Sequence, residues 1–262
     1  MALSLMLRFL LAALLLVPLA ADAGLAKRTA YKQGAKGTNA WFTRYSRAVL
    51  RYGPVSYWPF DETSGTTVAD ITANAFNLTA GAAATRNIAS LMNDGEGRSM
   101  EIDLGDTGNA ERTDTDSLDI PASGTLVFWH SFASDCATLI GVFSRDDGAG
   151  TDRFVVYLGT AGTTLNVFSN GTTSTSSTIT AGTHFWAVSW SGTTALFRMD
   201  GTAQGSATYA APTASTAAVI VGHMNRGGSN EAGCNDEEIQ GVGFFNVQLT
   251  ADQIDSMWDA AR

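Results

Sequence analysis

Residues 100–106 read MEIDLGD, in which Met100, Ile102 and Leu104 alternate with Glu101 and Asp103, and Asp106 follows. Successive side chains on a strand point to opposite faces. The pattern predicts a strand with one apolar face and with Glu101 and Asp103 side by side on the other. Similar short runs recur between Gly-, Thr- and Ser-rich turns: VSYWPF, GTLVFWHSF, ATLIGVFSR, RFVVYLG, TTLNVFS, HFWAVSWSG, TALFRMDG, AAVIVGHM and EIQGVGFFN. Some alternate apolar with polar. Others, such as FVVYL and AVIV, are nearly continuous and predict strands buried on both faces. TSTSSTIT is a polar loop or edge strand.

Helical patterning is confined to two places. YSRAVLRY, residues 45–52, has room for two turns before Gly53-Pro54 stops it. LTADQIDSMWDAAR opens with Thr250 and Gln253 at capping-box spacing. There Ile254, Met257, Trp258 and Ala261 fall on one face. About ten strands at regular spacing and one terminal helix predict an all-β fold, a two-sheet antiparallel β-sandwich.

Composition agrees: 262 residues, 45% hydrophobic, with 27 glycines and 5 prolines, enough for one large domain. The first 23 residues stand apart. Arg8 precedes an apolar run of about a dozen residues, short for a spanning helix of roughly 20. Ala21-Asp22-Ala23 then forms an export-type cleavage site. Residues 1–23 are therefore read as a secretory signal cut before Gly24, the alternative being an uncleaved anchor. Residues 24–52 form a basic linker or arm. Lys27, Arg28, Lys32, Lys36, Arg44, Arg47 and Arg51 stand there without an acid. Residues 53–262 form the sandwich. The whole chain is −9, and Arg8 and Asp22 cancel, so with +7 in the arm the sandwich carries −16. An acidic body with a basic arm suits contact with an anionic surface, a partner or its own domain, and equally a solvated linker. The arm is also placed to join a homo-oligomer or larger assembly. No nucleic-acid partner is expected for the acidic sandwich. Cys136 and Cys234 either form one disulfide in an exported chain or remain two thiols.

GPVSYWPFDETSGTTVADITANAFNLT resembles the opening of laminin-G-like domains of the concanavalin A-like lectin/glucanase superfamily, with their Y-W-x-x-D-E-x-S-G-T-x-x-x-D pattern. SMEIDLGD, SLDIPASGTLVFWHSF, the hairpin through Asp200-Gly201, AAVIVGHM and IQGVGFFNVQLTADQI follow in that family's order over residues 53–262. The resemblance implies a concanavalin A-like jelly roll. Many members hold calcium. Their pattern maps the ion onto Asp70 and Asn74, with Asp236 beside the closing strand. Here Gln240 replaces the closing Asp, and Ala73 and Ala75 replace turn glycines. A hard cation wants six to eight oxygens. The alternative is that Asp70 caps its turn through backbone amides.

Two functions divide the expectations. Family-16 glycoside hydrolases on this fold carry E-x-D-x-E or E-x-D-x-x-E on one strand. Glu101, Asp103 and Asp106 approach that pattern as nucleophile, helper and acid. Asp106 is one carbon short of the acid Glu, and retaining chemistry needs about 5–5.5 Å between acid and nucleophile. His130, His184 and His223 are isolated in sequence. The expectation is therefore a non-catalytic, secreted or cell-surface module that binds a glycan or surface protein. Its candidate ligand residues are Trp129, Trp186 and Trp190, with Arg145, Asp147 and Asn225 in the loops around 145–152 and 223–236; core packing is the competing role for the tryptophans. The alternative is a structural or decoration protein of a virion or cell surface, anchored by the arm.

Overall fold

The computed structural model describes residues 43–102, 108–113, 118–133, 139–146, 153–159, 163–212, 215–226, 229–231 and 237–262. Residues 1–42, Asp103, Asp106, Cys136, Asp147, Cys234, Asp236 and the side chain of Asn225 lie outside them.

The described chain opens with helix α1 (Arg44–Arg51), then strands β1 (Ser56–Trp58), β2 (Thr67–Val68), β3 (Leu78–Ala80), β4 (Thr85–Ile88), β5 (Ser99–Ile102) and β6 (Ala110–Arg112). The long strands follow: β7 (Ser123–Phe132), β8 (Ile140–Arg145), β9 (Phe154–Leu158), β10 (Thr164–Ser169), β11 (Thr172–Thr178), β12 (Gly182–Ser191), β13 (Thr194–Met199) and β14 (Thr202–Thr208). β15 (Val219–Val221), β16 (Met224–Arg226), β17 (Ser229–Glu231), β18 (Glu237–Phe245) and helix α2 (Ala251–Ala260) complete it. The first sheet runs β14-β13-β12-β7-β18-β5-β4, with β1 also pairing β18; the second runs β11-β10-β9-β8-β15-β6-β3-β2. Pairing is antiparallel throughout the described strands. The all-β sandwich is the architecture that the sequence pattern predicts.

Strand parity builds two apolar layers. On β12, Trp186, Val188 and Trp190 enter the core between the sheets. Phe185 and Ala187 point the other way, into a second cluster with Val127 and Trp129 of β7. Strands apolar on both faces need a cover on each. The helices supply it for the first sheet. α1 contributes Tyr45 and Val49, and α2 contributes Ile254, Met257 and the flanking Ala261. α2 begins as its capping box predicts: Gln253 N–H donates to Thr250 Oγ1 at 3.3 Å, and Thr250 N–H donates to Gln253 Oε1 at 2.8 Å.

The expected boundary at residue 52/53 moves. Thr43 caps α1 by accepting from Ser46 N–H at 2.9 Å, and Tyr45 is fully buried on the sheet. The segment from residue 43 thus belongs to the sandwich rather than to a linker. Its arginines face outward, and Arg44 lies 3.2 Å from Asp94.

The lateral edges of the sandwich are closed by side chains. Ser174 and Ser169 hydroxyls donate to the Thr208 and Ala210 carbonyls, joining the β11 and β14 sides. Arg86 donates to Thr67 O at 3.3 Å and lies 3.5 Å from Glu62, bridging β4 to β2. Such contacts leave little edge free for pairing with another chain.

The β16–β17 hairpin rests on the outer face of the second sheet at Gly141. A Cβ there would stand 2.3 Å from Met224 N and 2.4 Å from His223 C, both backbone atoms. Gly141→Ala is expected to lift the hairpin and cost about 1–3 kcal/mol, the usual range for overpacking. Thermal unfolding checks this, and an unchanged melting temperature would contradict the close approach.

Candidate functional site

The turn after β2 is organised by Asp70, whose residue is 5% exposed. Its Oδ1 accepts from Tyr57 N–H at 3.0 Å and Thr72 N–H at 2.9 Å. Its Oδ2 accepts from Phe76 N–H and the Thr72 hydroxyl, both at 2.9 Å. Asn77 Oδ1 accepts the Asp70 N–H at 2.9 Å. Asn74 donates outward to Val55 O at 2.7 Å. Four donors therefore converge on one carboxylate. Gln240 supports a different loop. Its Oε1 accepts from Leu91 N–H at 2.7 Å, and its Nε2 donates to Glu96 O at 3.2 Å. Of the three expected calcium ligands, Asp70 is engaged by N–H and O–H donors, Asn74 uses its Nδ2 on the backbone, and Asp236 lies outside the described residues. Among the described residues no group of three or more His, Cys, Asp or Glu is placed to hold a metal ion.

Glu101 keeps the parity that the sequence predicts, since Met100 and Ile102 fill the core. Its register partner is Glu238 on β18. Glu238 Oε2 accepts from the Ser99 hydroxyl at 2.7 Å. The proposed helper and acid, Asp103 and Asp106, fall outside the described residues.

The histidines sit among packed strands. His130 and His184 are register partners on β7 and β12. His130 Nε2 lies 3.6 Å from Glu237 Oε2, with both side chains fully buried. His184 Nδ1 lies 2.7 Å from Asp200 Oδ2. That hydrogen bond raises the His184 pKa above the usual histidine value, against the opposing effect of burial. Because the folded pKa is the higher one, the stabilisation is complete below the unfolded value of about 6.5 and is lost as pH rises through the folded value. His184→Gln is accordingly expected to cost more at pH 5.5 than at pH 8.5. Paired urea titrations at the two pH values measure the difference, and equal costs would refute the linkage.

Several expected ligand residues are structural instead. Trp129, Trp186 and Trp190 are 1%, 0% and 0% exposed. Trp190 packs on Phe154 with ring centroids 5.0 Å apart, and Trp129 on Trp258 at 5.3 Å. They are core residues because their strands are covered on both faces, and no ring face is left for a sugar. Arg145 is 1% exposed. Its guanidinium lies 2.7 Å from Asp119 and donates to Ser215 O, so it ties loops to β8 rather than facing a ligand.

The outer face of the second sheet is different, because neither helix covers it. Phe154, Val156, Leu158, Leu165 and Val167 point inward. Opposite parity puts Arg153, Val155 and Tyr157 outward beside Asn166 and Phe168. The register aligns Tyr157 with Asn166 and Thr175, and Val155 with Phe168 and Thr173. Phe168 and Tyr157 are half-buried and Thr173 and Thr175 exposed, whereas Val155 and Asn166 between them are buried, at 3% and 5% exposure. Arg153 Nε donates to Asp146 Oδ2 at 2.6 Å. Its Cζ sits over the Phe168 ring, 4.8 Å from the centroid. The Asp146 side chain is 0% exposed, whereas that of Arg153 is 17% exposed. None of these residues was an expected ligand, although the alternation in RFVVYLG and TTLNVFS carries their shared face.

No family model matches the chain, and no curated protein matches it. Solved structures do. The binding domain of Paraclostridial Mosquitocidal Protein 1 matches with TM-score 0.60 and 10% identity, over 79% of this chain and 52% of that one. The Botulinum Neurotoxin serotype G binding domain matches with TM-score 0.57 and 10% identity, over 79% and 50%. Trypanosoma rangeli sialidase in complex with sialic acid matches with TM-score 0.58 and 12% identity, over 79% and 33%. The chain thus spans about half of each toxin domain and a third of the sialidase. What it shares with them is a β-sandwich fold.

Proposed function

We propose that this chain is a non-catalytic binding module of laminin-G-like type, acting at a cell surface or after secretion and taking a glycan or surface protein as partner. One observation carries the reading. The second sheet keeps aromatic and polar side chains on an outer face that neither described helix covers, while Asp70, Arg145 and the tryptophans are engaged in internal contacts. Preformed surfaces with a few fixed polar groups and aromatic area suit recognition. The toxin domains that share the fold are themselves described as binding domains, which supports the reading by analogy of fold.

The hydrolase alternative retains one observation, the Glu101–Glu238 register pair. Directly opposed residues have Cβ atoms about 4.5–5.5 Å apart, so the two carboxyls share a neighbourhood. A glycan array probed with the full chain tests the binding reading, and a reducing-end release assay on β-glucans tests the alternative. Binding without release is the expected result, with Glu101→Gln binding as the wild type does. Release abolished by Glu101→Gln would establish the hydrolase instead. Binding to no glycan on the array, with the chain recovered stoichiometrically in a larger particle, would favour a structural role through the basic arm.

A further inference from the structure

We propose that the outer face of the second sheet, centred on Arg153 and Phe168, is a binding site for a neutral pyranose unit. This rests on the binding-module reading and names its ligand class.

The central group is an arginine held in place. The Asp146 carboxylate, buried beneath the face, fixes Arg153 Nε at 2.6 Å. Arg153 Cζ lies over the Phe168 ring, 4.8 Å from the centroid. A long side chain held by an ion pair and a ring contact loses little freedom when a ligand arrives, so a hydrogen bond to it is less costly in entropy.

Charge narrows the ligand. A lone arginine would attract carboxylates and phosphates, but Asp146 cancels this one at contact distance. The remaining described groups around it are uncharged: Tyr157, Thr173 and Thr175, with Asn166 buried between them and its amide donating to Thr164. A neutral ligand has only hydroxyls to desolvate at such a surface, and these can be re-paired there, whereas an anion gains no net charge to offset its larger desolvation cost.

Shape narrows it further. Half-buried Phe168 and Tyr157 lie on adjacent strands of one face. Together they give apolar area for the C–H face of a sugar ring. The Thr173 and Thr175 hydroxyls, exposed on the neighbouring strand, both donate and accept. The guanidinium supplies donors only. That mixture matches a pyranose, which presents an apolar face and a rim of hydroxyls. The β16–β17 hairpin seated at Gly141 stands beside this floor.

The experiment measures binding of the full-length chain to a printed array of neutral and acidic oligosaccharides. Calorimetry then follows with the best neutral binder at about 50 mM and 500 mM NaCl. Phe168→Ala is expected to weaken binding at least tenfold with a melting temperature close to wild type. Arg153→Ala is expected to weaken binding as much but also to lower the melting temperature, because it strips the buried Asp146 carboxylate of this partner. The wild-type affinity is expected to be insensitive to salt. Thr175→Val is a milder probe, expected to weaken binding several-fold without disturbing the ring contact. If the wild type binds a neutral glycan and folded Phe168→Ala and Arg153→Ala bind equally well, the site is elsewhere and this inference fails, while the binding-module reading stands. If only acidic oligosaccharides bind, with affinity falling steeply in salt, the neutral-ligand assignment fails. If the wild type binds no glycan, the glycan reading falls and takes the inference with it.

Discussion

Asp70→Ala is expected to destabilise the domain by about 3–5 kcal/mol, because hydrogen bonds to a charged acceptor are worth roughly 1.5–3 kcal/mol each and orphaned buried donors add to the loss. Three backbone N–H groups, from Tyr57, Thr72 and Phe76, would lose their acceptor together. Each belongs to a different piece of chain: β1, the turn, and the approach to β3. Losing their shared acceptor therefore unties the turn from strand β1 in the first sheet. For a domain of this size the shift is on the order of 8–15 °C in melting temperature. Asp70→Asn should fall between the two, since the amide retains one acceptor oxygen and turns an N–H₂ toward donors. Differential scanning calorimetry measures both. A drop below about 2 °C for Asp70→Ala would mean that water replaces the carboxylate without loss. Wild-type protein measured with EDTA and with calcium is expected to melt alike, since the carboxylate is already filled.

Tyr45→Ala should cost a similar amount, about 3–5 kcal/mol, the range for emptying a buried aromatic site. Tyr45 packs edge-on against Tyr57, Trp129 and Phe185 at centroid distances of 6.2, 6.5 and 6.0 Å. Its hydroxyl donates to Gly241 O at 2.9 Å. Gly241 has φ +62, and a Cβ on it would stand 2.5 Å from Tyr45 Cε1, so glycine at this bulge admits the ring. Tyr45→Phe isolates the hydrogen bond and is expected to cost about 1 kcal/mol. Limited proteolysis complements the melting data: α1 in Tyr45→Ala should become cleavable at Arg47 or Arg51 well before the sheets unfold. Equal protection in mutant and wild type would show that α1 holds without its anchor.

Much of the framework is legible in the pattern of apolar positions. MEIDLGD places Met100 and Ile102 inward and Glu101 outward, as alternation requires. The capping box at Thr250 and the apolar face of α2 follow from spacing alone. α1 is legible as a helix but not as part of the domain. Tyr45 and Val49 are its fully buried apolar residues, and its arginines give the segment the composition of a linker. Polar edge strands are nearly invisible: β14, TAQGSAT, has no apolar stripe because both its faces are largely open. Tryptophans mislead for the opposite reason. A ring suited to stacking on a sugar is equally suited to a core, and only the cover provided by the helices decides which role it has. The Asp146–Arg153–Phe168 group joins β8, β9 and β10. Register brings it together, and register is not written in any one segment.

Arg44 reaches the backbone oxygen of Arg262 at 3.4 Å, and Asp94 N–H donates to Ala261 O at 3.3 Å. Helix α1 and residue 262 therefore meet at one place. A circular permutant that joins residue 262 to residue 43 by a short flexible linker, and opens the chain at the exposed Asn170-Gly171 turn, should fold to the same sandwich. By the same geometry the domain can be spliced into a surface loop of a host protein, with both joints at one point.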